Sequence, residues 1–546
     1  MGKNRPAMSD ASSGSAELAT PKPGPWGPLT QPTFRMLWVV WATANSCMWM
    51  NDVAAAWLMT SLSTSPVMVA LVQSASTLPV FLLGLPSGAL ADILDRRRYF
   101  MVTQIWVAAV ALLICAVVSF GAMTAPLLLA LTFANGVGLA MRWPVFAAIV
   151  PELVPRTQLS AALALNGVAM NASRIVGPIL AGAIIAGLGS AYVFALNAAL
   201  SVIAAFMINR WKREQKVSAL PGERFFGAMR VGAQYVRQSR AMHSILLRVI
   251  LFFLQSTALL GLLPLVAKGL HGGDAATFTF LLASMGAGAI GAALYLTRLR
   301  SVMSSDALVA YGALVQAAAM LAVSVAPNLL AAMPAMVVAG AAWIAVANSL
   351  TVSAQLALPD WVRARGMSIY QMALMGSSAA GAALWGQVAT WTSVRTSLVT
   401  AAVCAITGAL LTRRYLPPSG TEEDLTPTLY QRPAGTEIDL DLREGPVLVT
   451  VEYLIDPART DEFLVVMEES RRNRLRHGML SWGLYRDAAD PRRYSEHFVD
   501  ESWVEHLRHF ERMTAFDISL RERRFSFHIG ESPPRVTRYI GQALRQ

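Results

Sequence analysis

Twelve mostly apolar stretches, each about 20 residues or longer, follow one another along this chain, and no other feature constrains its fold as much. They lie near 36–61, 66–90, 99–120, 124–150, 159–187, 190–210, 242–267, 275–297, 306–326, 330–356, 367–390 and 394–415, with short polar or Pro/Gly breaks between them. A helix needs about 20 apolar residues to cross the hydrocarbon core of a bilayer. A backbone in that core must satisfy its own hydrogen bonds, which favours helices. The pattern predicts an all-α membrane part with 12 transmembrane helices. Composition agrees, with 55% hydrophobic and 14% charged residues, against about 25% charged in soluble domains.

The formal net charge of +11 raises the question of nucleic acid, but the basic residues are scattered in small groups and form no single patch. No nucleic-acid partner is expected. Their placement alternates. One set of loops carries Arg96, Arg97, Arg98, Arg156, the run NRWKREQK at 209–216, Arg298, Arg300, Arg363, Arg365, Arg413 and Arg414, whereas the opposite set carries only Lys268 and Arg395. By the positive-inside rule both termini are cytoplasmic and the chain is a multi-pass protein of the cell membrane. Residues 1–33 are rich in Ser, Pro, Gly and Ala and read as a disordered cytoplasmic tail, with no signal peptide. Cys47, Cys115 and Cys404 sit inside apolar segments without metal or redox spacing, so they read as small core residues, and no metal or cofactor is expected.

A basic break, 211–241, divides the segments into an N-terminal six-helix bundle at 34–210 and a C-terminal one at 242–415. Sliding one half on the other by about 204 residues aligns Pro155 with Pro359, Ser173 with Ser377, Gly177 with Gly381 and Gly182 with Gly386. Six helices repeated in parallel about an axis along the membrane normal is the design of major facilitator transporters.

Specific motifs carry the resemblance further. GALADILDRRR at 88–98 resembles the signature loop of the major facilitator superfamily, with Gly88, Asp92, Arg96 and Arg97 in the matching places. The resemblance implies a conformational latch, the glycine allowing close approach of the second segment to the eleventh and the aspartate facing the N-terminus of the eleventh. SRIVGPILAG in the fifth segment resembles the superfamily's antiporter pattern, filled by Ser173, Gly177, Pro178, Ala181 and Gly182. Ordinary tight helix packing is the other reading of the same residues. The runs FRMLWVVWATANSCMWMNDVAAAWLM and RWPVFAAIVPELVPRTQLSAALALNG resemble a narrower branch, the enterobactin exporter-like transmembrane secretion effectors. This implies a secondary active transporter exporting a small organic solute (a siderophore, secondary metabolite or drug) by alternating access, with protons as the counter-transported partner. An importer of the same fold is the alternative. No nucleotide-binding loop is evident, so the drive is ionic.

Ionisable groups within spanning helices are costly and mark substrate or ion paths. Asp52 is the candidate proton-coupling carboxylate, with Arg174 or Arg142 as its partner or as a counter-ion to substrate. Two plainer readings stand beside this: Asp52 near the outer end of its helix in contact with water, and Arg142 snorkelling to the surface. The arginine that proton-linked drug exporters carry four residues before a glycine in the fourth segment is Thr132 here, with Gly136 as that glycine. Candidates for the wall of a transport cavity are Trp49, Asn51, Gln73, Asn135, Asn166 and Asn171, then Gln255, Gln316, Asn348, Tyr370 and Gln371. Each alone can equally be a polar tie between helices.

After residue 415 the character changes. Residues 416–445 are Pro-, Gly- and acid-rich, a linker. Beyond it, 446–546 reads as strand, helix, two hairpin strands, the helix SWVEHLRHFERM and a final strand near RFSFHIG, an α+β ferredoxin-like cytoplasmic domain. This part resembles the antibiotic-biosynthesis monooxygenases, whose dimeric barrels make a homodimer through this domain a candidate partner. A regulatory or dimerising role is the favoured reading and an enzymatic tail the rival. His506 and His509, spaced i, i+3 among charges, read as solvated surface in preference to metal ligands.

Overall fold

In the computed structural model of the chain the described residues are 26–155, 158–211, 225–270, 273–415, 423–428, 441 and 443–542. Residues 1–25 of the expected tail, Arg156, residues 212–216 of the basic run, and the side chains of Gly88, Asp92, Asn171 and Arg414 lie outside them.

The chain is mostly helical. Its long helices are α1 (Pro32–Leu62), α2 (Pro66–Ile93), α3 (Arg96–Ser119), α4 (Ala125–Leu153), α5 (Leu159–Gly187) and α6 (Ser190–Arg210), followed by the short α7 (Phe225–Gln238). Then come α8 (Arg240–Gly269), α9 (Ala275–Val302), α10 (Ser305–Val325), α11 (Leu329–Leu356), α12 (Asp360–Trp391) and α13 (Val394–Tyr415). Local chemistry sets their starts. Proline occupies the first turn of α1, α2 and α4, where a missing N–H costs nothing. Asp95, Asp274, Ser304 and Asn328 accept from backbone N–H groups at the starts of α3, α9, α10 and α11.

Among the described residues, 10 helices are long and apolar enough to cross a membrane: α2 to α6, α8 to α11 and α13. The two others of spanning length, α1 with 31 residues and α12 with 32, are diluted by polar or interfacial residues. Four tryptophans and Asn45, Asn51 and Asp52 interrupt α1, and Arg363, Arg365, Gln371 and Gln387 interrupt α12. One helix before the tail went unforeseen: α7 lies within 211–241. Its 14 residues fall below spanning length, so a search for spans passes over it.

Three apolar clusters hold these helices. One joins Met59, Val69 and Ala181 to Leu259, Phe278 and Trp385, so it is shared by helices before and after α7. The other two are not shared. Phe34, Phe100, Phe146 and Ile208 belong to helices before α7, whereas Ile245, Phe253, Val346 and Tyr370 belong to helices after it. The shared cluster lies toward the weakly charged ends, and the separate clusters toward the basic ends.

The aligned glycines occupy matching environments. A Cβ on Gly177 of α5 would stand 2.6 Å from Trp49 Cβ of α1, and one on Gly381 of α12 would run into the Leu254 carbonyl of α8. Gly182 of α5 likewise abuts Thr279 of α9, and Gly386 of α12 abuts Ala70 of α2, 2.6 Å from its hypothetical Cβ. Each glycine lets its helix approach a neighbour closer than a side chain would permit. The repeat in the sequence is thus a repeat in packing.

The C-terminal part holds one antiparallel sheet of strands β1 (Val447–Leu454), β2 (Ser481–Arg486), β3 (Arg493–Asp500) and β4 (Arg535–Ile540), in the order β2-β3-β1-β4. Helices α14 (Thr460–Arg476), α15 (Trp503–Glu511) and α16 (Ala515–Phe525) complete it. Val447, Val449, Val451, Tyr453 and Ile455 alternate into the core, as the pattern predicted. The last strand is a correction. Arg524 and Phe525 end α16, which Thr514 starts with a capping box, and the edge strand is β4, about ten residues later. Part of the expected linker is bound in place. Thr426 and Asp424 accept from the N–H groups of Ala515 and Phe516, and the Trp503 N–H donates to the Glu444 carbonyl.

Candidate functional site

The site is centred on Arg174 of α5, whose side chain reaches Trp49 of α1 and Trp343 of α11. Arg174, one turn before Gly177, lays its guanidinium over two indoles, 4.2 Å from the Trp343 ring centroid and 5.4 Å from that of Trp49. Its Nε and Nη1 are out of solvent and have no hydrogen-bond partner among the described residues. Among the described residues no carboxylate pairs with it either. Gly177 makes this arrangement feasible, because its missing side chain lets α5 sit against Trp49. Ser173 ties the same face, donating to the Ala42 carbonyl at 3.0 Å and accepting from Ser46 at 3.1 Å. Pro178 and Ala181 are buried beside it. The indoles come from both sides of α7 in sequence, so the cation stands between the two halves of the chain. An aromatic face attracts a cation but does not neutralise it. Such a group is suited to receive an anion.

Sequence reasoning missed Trp343, whose signal is a large aromatic residue among the small ones of AGAAWIAVAN. It packs edge to face on Phe253 at 5.6 Å, which fixes the ring.

Asp52 is half-buried and accepts from Ser76 of α2 at 2.8 Å. Among the described residues it forms no ion pair with Arg174 or Arg142. Arg142 is 2% exposed, so it does not snorkel to the surface. It donates to the Ala44 carbonyl at 3.2 Å and lies over the Trp41 ring at 5.6 Å. The structure thus sets out three separated charges where the sequence left a pairing open.

The wall candidates divide. Some are tied: Asn51 accepts from Asn197 at 3.2 Å, Asn348 accepts from Arg300 at 2.8 Å, and Tyr370 bonds Thr351 at 3.0 Å. Asn135, Asn166, Gln255 and Gln316 keep buried amide atoms without a partner among the described residues, as does the Nδ2 of Asn51. The Trp49 indole N–H is in the same position, and Gln73 and Gln371 are half-buried.

Around the proposed latch, Asp95 starts α3 by accepting from the Arg98 N–H at 2.8 Å. Arg96 pairs with Glu152 at 2.7 Å, and Arg97 donates to the Asn209 side chain at 3.0 Å and to its carbonyl. These bonds join the start of α3 to α4 and α6. Helices α2 and α12 lie against each other along much of their length, with Ser74 donating to the Ala379 carbonyl at 2.6 Å and Gly376 facing Phe81.

The tail carries its own buried charges. Glu496 of β3 accepts from Tyr453, Trp482, Arg474 and Arg524 at 2.9 to 3.3 Å. Burial alone would raise its pKa, but the two guanidiniums and the hydrogen bonds outweigh that and hold it at about 2. Asp517 accepts from His477 at 3.0 Å and from Asn473 at 2.7 Å, and these partners pull its carboxyl below the usual range against the effect of burial. The histidines correct the surface reading. His506 is 2% exposed, bonded to Asp500 at 2.7 Å and accepting from Arg538 at 3.0 Å. His509 is also buried, and burial together with His477 and Arg474 holds its pKa well below the usual imidazole value. Polar flanks hid this because the groups that cover and pair with these rings, Asp500, Arg538 and Arg474, lie on other elements of the tail. No group of three or more metal-binding side chains occurs among the described residues.

This tail is docked on α7. Arg230 pairs with Glu501 at 2.6 Å, Gln234 donates to the Met479 carbonyl at 2.8 Å, and Arg476 donates to the Gln238 carbonyl at 3.3 Å. Trp361, at the start of α12, is held by His477 at 5.5 Å and Arg512 at 5.0 Å, while Tyr235 of α7 meets its edge at 5.8 Å.

A family model described as transmembrane secretion effector matches residues 23–546. The "Staphyloferrin A transporter" of Staphylococcus aureus (strain NCTC 8325 / PS 47) is 25% identical over 139 residues, 25% of this chain and 35% of the relative. The "Uncharacterized MFS-type transporter YfiS" of Bacillus subtilis (strain 168) is 29% identical over 201 residues, 36% of this chain and 47% of the relative. Both matches therefore span less than half of the relative's length. Among solved structures, a bacterial homolog of the human lysosomal transporter Spinster, inward-facing and unoccupied, superposes with a TM-score of 0.57 at 14% identity, covering 71% of this chain and 98% of its own. A POT family transporter in complex with 5-aminolevulinic acid gives 0.59 at 13% identity, covering 73% and 99%. At such identities the likeness is one of fold alone.

Proposed function

The chain belongs to the transmembrane secretion effector family, within the major facilitator transporters, and from this premise we propose that it exports a small organic anion from the cytoplasm in exchange for protons. It is a membrane transporter. In this reading α1 and α12 span as well, giving 12 crossings in two bundles of six, with both termini in the cytoplasm by the positive-inside rule. The observation that carries the substrate class is the Arg174 guanidinium, gripped by indoles of both halves and lacking a carboxylate partner among the described residues. A siderophore or another acidic secondary metabolite fits that chemistry, and one relative is named for a siderophore. Asp52, with Ser76 as its one hydrogen-bond donor among the described residues, is the proposed proton carrier, and Arg142, held by the Ala44 carbonyl and the Trp41 ring, is a separate buried charge.

The clusters support a state open toward the basic side, because the shared core lies at the other end. Gly88, Asp92, Arg96 and Arg97 remain the proposed latch between states. The tail reads as a ferredoxin-like regulatory domain, on the strength of its strand order and its hold on α7 and Trp361. A homodimer through its sheet is the associated proposal for a partner.

The test is flux in proteoliposomes under an imposed proton gradient, with siderophores and with anionic and cationic dyes as candidate solutes, for wild type, Arg174→Gln and Asp52→Asn. Proton-driven flux of anions, lost in both variants, is the expected result. Flux of cations alone, or anion flux untouched in Arg174→Gln, contradicts the substrate class.

A further inference from the structure

A second site stands apart from the central one. A cavity of about 270 Å³ lies between α8, α10 and α13, all of whose ends there are on the basic side of the bundle. Its wall is apolar, made by Phe252, Val309, Ala313 and Ala409, and it is open because Ala405 and Gly408 leave room: a Cβ on Gly408 would have no atom nearer than Leu251 at 3.9 Å. Its mouth is polar. Arg248, Asp306, Ser304, Thr412 and Arg413 border it, and two guanidiniums against one carboxylate leave one positive charge. Arg248 and Asp306 form an ion pair that ties α8 to α10. Arg413 instead lies over the Tyr311 ring at 5.5 Å and has no carboxylate partner among the described residues.

The neighbourhood says what solvent meets this cavity. Val403, Leu410 and Leu411 of α13 and Val315 of α10 are exposed apolar residues on helices apolar enough to cross a membrane, so their surroundings are acyl chains. We propose that the cavity is a binding site for an anionic phospholipid, one acyl chain lying along the Phe252 and Val309 wall and the headgroup phosphate on Arg413. An apolar trough beneath an unneutralised arginine at the membrane surface matches such an amphiphile in both parts. A zwitterionic lipid brings a cation that the Arg413 side repels. Free phosphate matches the mouth and leaves the trough unused. Occupancy would brace α13 against α8 and α10 where the direct contact is loosened by small residues.

The full-length protein, reconstituted in vesicles of equal parts phosphatidylglycerol and phosphatidylethanolamine and then extracted gently, is analysed by native mass spectrometry for retained lipid. Phosphatidylglycerol is expected to be retained in preference, and Arg413→Gln to lower its retention about fivefold, the effect of one basic residue at an anionic surface. Gly408→Leu, which keeps the charge and fills the trough, is expected to lower it as well, with the melting temperature in pure phosphatidylethanolamine nanodiscs serving as the control for folding. Equal retention of the two lipids, retention unaffected in both folded variants, or displacement of the lipid by millimolar inorganic phosphate would each overturn the proposal.

Discussion

Arg174 in the membrane part and Arg474 with Arg524 in the tail are all arginines partly or wholly withdrawn from water, yet their surroundings differ in kind. The two in the tail share Glu496, with Tyr453, Trp482 and Ser470 completing the network. Arg174 has two indole faces and leaves two N–H groups without an acceptor among the described residues. A buried charge that is paired holds a structure together, and breaking the pair leaves its partner stranded. A buried charge that is unpaired costs stability in the empty protein and is retained for what it will bind. The tail thus adds a paired charge network to its apolar core, whereas the membrane part relies on close helix contact.

The sharpest way to break this comparison is Glu496→Gln. It strands Arg474 and Arg524 and should cost the tail ~3–5 kcal/mol, read as loss of hydrogen-exchange protection in β1 and β3 of the full chain while the spanning helices keep theirs. Acid should act in the same direction. Glu496 is held at about 2 against about 4.3 when unfolded, so its contribution is complete above the unfolded value and fades as pH falls toward 2. Asp517, also depressed, adds to the slope. The tail should then lose its structure in acid before the membrane part does, and a membrane part that unfolds first contradicts the contrast.

Arg174→Gln is the opposite experiment. It should leave the empty protein as stable as wild type or more so, yet weaken anion binding roughly 10- to 100-fold, the loss of one charge-assisted hydrogen bond of ~1.5–3 kcal/mol. Next in size is Gly182→Val, which forces a side chain into Thr279 and should cost ~1–3 kcal/mol by overpacking, measured as a lower melting temperature in detergent. The smallest effect is expected from Trp361→Ala, which removes the ring held by His477 and Arg512. A loss of ~0.5–1.5 kcal/mol should appear as faster hydrogen exchange confined to α7 and α14.

What could be read in advance follows from the range of each interaction. Spanning helices announce themselves by length and apolarity, which are local properties, and the repeat was legible because Gly177 and Gly381, or Gly182 and Gly386, meet matching neighbours. The first three tail strands were legible from alternation, as at Val447, Val449 and Val451. The final strand was misplaced because RFSFHIG alternates too, while the Thr514 capping box that starts α16 just before it is a signal of two residues. Helix α7 was hidden by brevity, and the burial of His506 and His509 by partners on other elements, Arg538 for the one and Arg474 for the other. At the site, Arg174 could be singled out as a charge in an apolar helix, whereas Trp343 could not, because only the folded arrangement of the two halves brings its ring under the guanidinium.

The central claim is that Arg174 awaits an anion. The most direct measurement is the ligand-induced shift in melting temperature of the purified full-length protein and of Arg174→Gln, across a panel of organic anions, cations and neutral solutes that includes ferric and iron-free siderophores. The account predicts that acidic solutes stabilise the wild type, and that the variant is no less stable without ligand but insensitive to those same solutes. Stabilisation of the wild type by cations alone, or an anion response that persists in Arg174→Gln, would contradict it.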